Sequence, residues 1–301
     1  MNKRLLAVGL GIFGILLFST KAVFVKLAYT YDIAAVPLLA LRMLFSLPFY
    51  VAVLCWTHRK NTAESQDLLW MLLFGFLGYY LASYLDFQGL KYIKASVERL
   101  ILFIYPSLIL LISFLFLKKT VTKVQVLAMS ISYIGILFVF VPELQTGTSQ
   151  NVLLGGSLVF LSGLSYACYI VGSGWLIPKV GVTQFTSYCM IVSCSLVFLH
   201  YWIQGGSVVG LLGFPVEVYF IALLMAFFST VIPSYLISFA IKSIGANQFA
   251  IFGSLGPVST IVLAYFFLGE TLNWLQFVGG ITVISGIVVA ERFKSSSGST
   301  G

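Results

Sequence analysis

Apolar residues run in long stretches along this chain and are interrupted only at short charged or Gly/Pro/Asn-rich points. A helix crossing a bilayer core of about 30 Å needs about 20 apolar residues. Ten stretches meet that length, at 5–29, 34–56, 68–90, 95–117, 122–141, 152–175, 184–204, 217–241, 246–268 and 271–290. The pattern predicts an all-α integral membrane protein with ten transmembrane helices. The first stretch is too long for a signal peptide and lacks a small-residue cleavage site, so it reads as a span. The Ser/Gly run 295–301 reads as a disordered tail or appended remnant outside the fold.

Composition agrees with a lipid solvent. Of 301 residues, 60% are hydrophobic and only 9% charged, where a water-facing surface needs roughly 25%. The net charge of +8 forms no basic stripe, which argues against a nucleic-acid partner. It reads instead as topology, because Lys and Arg in short loops stay cytoplasmic. With both termini cytoplasmic, that side collects Lys3, Arg4, Arg59, Lys60, Lys118, Lys119, Lys123, Lys179, Lys242, Arg292 and Lys294, and the other side only Lys91 and Lys94. The expected location is the cytoplasmic membrane. Cys55, Cys168, Cys189 and Cys194 have no metal or redox spacing, and His58 and His200 are isolated, so neither a metal centre nor a cofactor is expected.

The segment from Lys91 aligns without a gap on the segment from Lys242. Lys91/Lys242, Ala95/Ala246, Pro106/Pro257, Thr120/Thr271, Gln125/Gln276 and Gly135/Gly286 coincide. Five spans per unit, an odd number, turn the second unit upside down in the membrane. The expected units are 1–141 and 142–294. Inverted repeats are a hallmark of secondary transporters, which bind solute near the midplane where the repeats meet.

At this point the sequence resembles the EamA-type branch of the drug/metabolite transporter superfamily. The resemblance is carried by the hinge from Lys242 to Ala246, by Gly256-Pro257, by Leu268-Gly269-Glu270-Thr271-Leu272, and by Gln276 with the Gly-rich last stretch. Tyr105-Pro106, Lys26 and Arg42 fit the same plan in the first half. The resemblance implies two inverted five-helix halves and a cavity lined mainly by spans 1, 3, 4, 6, 8 and 9. It also implies alternating access without ATP hydrolysis.

Ionisable groups inside a membrane are costly unless paired or wetted, so each is a functional candidate. Lys21, Lys26, Arg42, Asp86, Glu98 and Arg99 all fall in the half of the membrane away from the cytoplasm. Lys21, Arg42 or Arg99 is expected to bind a substrate carboxylate or phosphate. Glu98 or Asp86 is expected to pair with them or to take up a coupling proton, and the alternative is an outer gate of ion pairs formed by Asp86, Glu98 and Arg99. Glu98 and Arg99 point about 100° apart on a helix and are expected to face different partners. Pro106 and Pro257 are expected to break their helices, either at the binding layer or as packing kinks. Tyr79, Tyr80, Tyr84, Tyr105, Tyr166, Tyr169, Ser229 and Tyr235 are candidates for holding an aromatic or amphipathic solute, or for bridging helices.

The leading expectation is a secondary carrier exporting or exchanging an amino acid or related solute, as a monomer or homodimer. The alternatives are import or exchange of a phosphorylated or nucleoside-like metabolite, and an intramembrane enzyme. The enzyme reading lacks a zinc motif, a pair of catalytic aspartates or a membrane histidine centre.

Overall fold

A computed structural model describes residues 3–57, 64–117, 123–145, 151–246, 249 and 255–295. The described chain is helical. Long helices are α1 (Lys3–Tyr29), α2 (Ala35–Thr57), α3 (Ser65–Gly89), α6 (Lys123–Gln145), α7 (Val152–Val180), α8 (Val182–Ile203), α10 (Val216–Ile244) and α12 (Trp274–Ser295). Shorter ones are α4 (Ala95–Leu102), α5 (Tyr105–Leu117), α9 (Val208–Leu211) and α11 (Leu255–Leu268). Among the described residues seven stretches are long and apolar enough to cross a membrane, with α4 and α5 together forming one of them. Leu255–Leu268 and Trp274–Gly286 are shorter apolar helices. Large apolar side chains such as Trp56, Phe116 and Phe266 are exposed on the outer surface, as lipid contact requires.

Three features of the elements differ from the periodicity. The stretch 95–117 is not one helix but two, broken at Phe103 and Ile104. Pro106 sits at the second position of α5, and its ring excludes the carbonyl of Leu102, four residues earlier, where α4 ends. Pro257 sits in the first turn of α11, and the four residues before Leu255 lie outside the described residues. The second difference is one of length: the stretch 152–175 continues as α7 through Pro178 to Val180. One residue, Gly181, then joins α7 to α8 at φ +86°, a conformation that favours glycine. Third, α12 runs to Ser295, so residue 295 is helical, while 296–301 lie outside the described residues. His58, Lys118 and Lys119 also lie outside them.

The repeat is visible in the backbone. Helix α3 widens to a π turn at Phe76–Leu81, and α10 does so at Phe227–Val231. Phe76 and Phe227 stand at the same offset as Lys91 and Lys242. Equivalent π turns in equivalent helices follow from duplicated sequence, and such turns cluster at functional sites.

Packing places α1 at the centre, against the 232–244 part of α10 and against α11. Helix α2 packs on α8, the 82–89 part of α3 on α7, and α6 with α12 as a peripheral pair. Glycines permit these approaches. A Cβ at Gly75 would lie 2.5 Å from the Cys189 carbonyl oxygen and 3.0 Å from Val192 Cβ, and one at Gly135 would lie 2.7 Å from the Val283 nitrogen. Backbone atoms cannot rotate away as a side chain can. Gly75→Ala is therefore expected to destabilise the α3–α8 contact by about 1–3 kcal/mol, read as a lowered midpoint of thermal unfolding in detergent. Gly9→Ala, inside α1 and meeting nothing within 4 Å, should hold the midpoint or raise it slightly.

Candidate functional site

Helix α1 carries Phe18-Ser19-Thr20-Lys21 into the centre of the bundle. Two of these hydroxyls bond back to their own helix, Ser19 Oγ to the Ile15 carbonyl at 2.8 Å and Thr20 Oγ1 to the Leu17 carbonyl at 2.7 Å. Polar side chains so satisfied can sit in an apolar bundle at little cost. Thr20 Oγ1 also lies 2.8 Å from Ser229 Oγ, in the α10 π turn.

Lys21 is only 4% exposed, and its Nζ lies 2.6 Å from Asp86 Oδ2 and 3.9 Å from Glu98 Oε1. Arg99 Nε is 3.8 Å from Glu98 Oε2. Thus α1, α3 and α4 bring two cations and two carboxyl groups together out of water. The angular expectation for Glu98 and Arg99 does not hold: both reach one cluster. Their side chains are long, and α4 is an eight-residue helix buried on every side, so no face of it is free to point elsewhere. Lys26 is only half-buried, one helical turn beyond.

Arg99 donates from Nε to Thr260 Oγ1 at 3.0 Å and from a terminal nitrogen to the Phe18 carbonyl at 3.2 Å. Thr260 in turn donates to the Ser19 carbonyl at 3.0 Å. Arg42 is held in a parallel way. Its Nε donates to Thr230 Oγ1 at 2.6 Å, a terminal nitrogen lies 3.5 Å from Ser83 Oγ, and Thr230 donates to the Met225 carbonyl at 2.9 Å. Each arginine of the first repeat is thus positioned by a threonine of the second. Neither pairing is evident in the sequence, where Thr260 reads as one more small residue in an apolar run.

The aromatic candidates divide into two sets. Phe18 stacks on Tyr166 at 6.0 Å, Tyr166 meets Tyr105 edge-on at 5.8 Å, and Tyr169 lies between Tyr166 and Tyr79, with its hydroxyl 3.1 Å from the Tyr79 hydroxyl. Lys21 Nζ and the Arg99 guanidinium stand 5.0 and 5.5 Å from the Phe18 ring centroid, within cation–π range. The other set lies away from this array and bridges helices. Tyr80 contacts His200 Nδ1 at 3.0 Å, Tyr84 packs edge-on to His200 at 4.7 Å, and the Tyr235 hydroxyl lies 2.8 Å from Ser187 Oγ.

A cavity of about 60 Å³ opens beside the first set. Lys21, Tyr79, Arg99, Tyr105, Tyr166 and Pro257 are among its lining residues, contributed by α1, α3, α4, α5, α7 and α11. A water needs about 10–15 Å³ of such space, so this conformation has room for a few waters and not for a metabolite. Of the other candidates, Arg42, Ser229 and Tyr169 lie just behind the wall, and Glu98 and Asp86 lie behind Lys21.

A second cross-repeat contact went unnoticed in the sequence. The Glu270 carboxylate accepts bonds from the Ala95 nitrogen at 2.9 Å, the Ser96 nitrogen at 3.0 Å and Ser96 Oγ at 2.6 Å. It caps α4 from the far end of α11, satisfying helix-start donors and opposing the dipole. This gives the Gly269-Glu270 part of the sequence motif a structural task. At another edge of the bundle, Lys179 at the end of α7 pairs with Asp67 at 2.9 Å and Glu64 at 3.3 Å at the start of α3.

The EamA-like transporter family matches the chain twice, over residues 5–141 and 153–291. The chain belongs to this family. Similar proteins include the uncharacterized transporter YcbK of Bacillus subtilis (strain 168), 28% identical over 95% of this chain and 92% of that one. Another is the uncharacterized transporter YyaM of the same organism, 26% identical over 77% of this chain and 76% of its own length. An uncharacterized transporter of Archaeoglobus fulgidus is 25% identical over 84% and 85% of the two chains. A solved crystal structure superposes with TM-score 0.68 at 17% identity, over 98% of this chain and 99% of that one, which shows a shared fold. The protein is therefore a multi-pass membrane transporter, and a small molecule and the lipid bilayer are its partners.

Two outcomes follow from the site geometry. Lys21→Met removes the counter-ion of Asp86 and should cost about 3–5 kcal/mol, the usual effect of breaking a buried pair, measured by thermal unfolding in detergent. Glu270→Ala leaves three donors at the start of α4 without their acceptor and should cost about 1–2 kcal/mol. In the same unfolding assay Glu270→Gln, which keeps one acceptor oxygen, should cost less.

Proposed function

We propose that this transporter is a secondary carrier that moves a small metabolite, an amino acid or related solute, across the cytoplasmic membrane by alternating access. Ten transmembrane helices, arranged as inverted repeats over 1–141 and 142–294 with both termini cytoplasmic, would provide it. One observation carries the reading: a cavity at the meeting of the repeats, lined in part by aromatic rings, presents a buried guanidinium, Arg99, beside Lys21. A guanidinium fits a planar carboxylate with two parallel bonds. The rings of Phe18, Tyr105 and Tyr166 suit an apolar or aromatic remainder.

The present cavity is too small for such a solute, so binding requires the repeats to move. Glu270 with Ser96 and Lys179 with Asp67 are among the polar contacts spanning them that such motion would break. Export or exchange is the direction we favour. A phosphorylated or nucleoside-like solute is the second reading, favoured by the same guanidinium, which takes phosphate as readily.

The test is a two-stage one. Purified protein is screened for thermal stabilisation against a metabolite library, and the stabilising solute is then followed by counterflow in proteoliposomes. Saturable counterflow is expected. Arg99→Ala should lower it about ten-fold or more, since a charged hydrogen bond contributes about 1.5–3 kcal/mol, with Arg99→Lys between the two. Normal counterflow by Arg99→Ala would refute the assignment of this residue.

A further inference from the structure

We propose that Asp86 and Glu98 share a single proton at neutral pH, and that this dyad is the site through which a proton is coupled to the binding of an anionic solute group. The word coupled rests on the carrier reading above; the shared proton does not.

Both carboxyl groups are wholly buried, and apart from their contacts with Lys21 and Arg99 none of their four oxygens accepts a hydrogen bond from any other described group. Both face one ammonium, Lys21 Nζ, at 2.6 and 3.9 Å, so an oxygen of each lies no more than about 6.5 Å from an oxygen of the other. Two ionised carboxylates so near each other and out of water repel strongly, and a proton held between them turns the repulsion into a bond. Distances indicate which oxygen carries it. Asp86 has the Lys21 ammonium at 2.6 Å and is the anion, whereas Glu98 has only long contacts, 3.9 Å to Lys21 and 3.8 Å to Arg99. Glu98 therefore donates its O–H to Asp86.

The charge count then has a consequence for the cavity. Lys21 is neutralised by Asp86, Glu98 is neutral, and the guanidinium of Arg99 is left as the surplus cation, on the cavity wall. The surplus lasts only while the proton stays. If Glu98 ionises, it neutralises Arg99 from behind and removes the attraction for an anion. Proton and anionic group thus favour each other's binding, and by linkage the effect is reciprocal. Affinity for the solute should rise as pH falls through the titration of the dyad, by at least about five-fold, the low end of typical coupling.

The other charged and titratable groups around the dyad do not disturb this count. Tyr29, from α1, lies within electrostatic range of Asp86 and donates its hydroxyl proton to the Phe87 carbonyl at 2.6 Å. Arg42, from α2, lies within electrostatic range of Asp86 and stands over the Phe87 ring at 5.6 Å, with its donors directed to Thr230 and Ser83. Tyr105 and Tyr166, from α5 and α7, face Arg99. From α11 the polar group that reaches the cluster is the hydroxyl of Thr260.

The proton can be read directly. Infrared spectra of the full chain in lipid nanodiscs, titrated from mildly acidic to alkaline buffer, should show one protonated buried carboxyl at neutral pH. Glu98→Gln should lose that signal. Asp86→Asn should lose it too, because Glu98 then becomes the sole counter-ion of Lys21 and Arg99 and ionises. Asp67→Asn and Glu217→Gln should keep it. Isotope labelling of glutamate carboxyls in the unsubstituted protein makes the same decision if a variant fails to fold, since the signal must shift with the glutamate label. Absence of the signal in the unsubstituted protein, its persistence in either dyad variant, or a failure to shift with the label would each overturn the proposal. These spectra report on the proton whether or not any solute moves, so a failure of the carrier reading would appear in counterflow and not here.

Discussion

The centre of this structure is organised by one constraint: charges removed from water must satisfy one another. Lys21 and Asp86 meet at 2.6 Å in a bundle whose surroundings are almost entirely apolar. An ammonium or carboxylate alone at that depth would cost several kcal/mol, so once Lys21 lies on α1, the helices carrying Asp86 and Glu98 are held against it. Phe18, one turn before Lys21, then lies against Arg99. The position of the aromatic array follows from the position of the charges.

The same constraint explains the threonine contacts. A guanidinium has five donors and no acceptor, and in an apolar bundle each orphaned donor is costly. Thr260 and Thr230 accept from Arg99 and Arg42 and pass a proton of their own to a backbone carbonyl. Both arginines come from the first repeat and both threonines from the second. The two halves are therefore joined at the cavity wall by bonds that are individually modest. That arrangement would suit the proposed carrier, since no single strong lock would have to break. The π turns fit the same picture: they widen α3 and α10 beside the site, and in α10 the turn carries Thr230 to Arg42.

Much of the architecture could be read without coordinates. Long apolar stretches, the repeat from Lys91 over Lys242 and the scarcity of charge pointed to a duplicated membrane bundle, and the family match over both halves agrees. Pro106 marked the break after Leu102 because a missing N–H and a ring clash are local effects. The end of the stretch 152–175 was less legible: α7 continues past the apolar run and through Pro178 to Val180. The tyrosines also proved divisible only in space. Tyr79, Tyr105 and Tyr166 reach the cavity, whereas Tyr80, Tyr84 and Tyr235 turn to neighbouring helices.

Sequence alone determined the solvent, the helical class, the duplication and the short set of buried ionisable groups, because each depends on residue type and spacing along one chain. Only the tertiary structure decided their partners. Lys21 takes Asp86 65 positions away and meets Glu98 77 positions away, and Glu270 caps α4 at Ala95, 175 positions away. Hydrophobic burial in lipid is insensitive to which apolar face meets which. The pairing of rare polar groups across helices sets the register, and that pairing exists only once the bundle has closed.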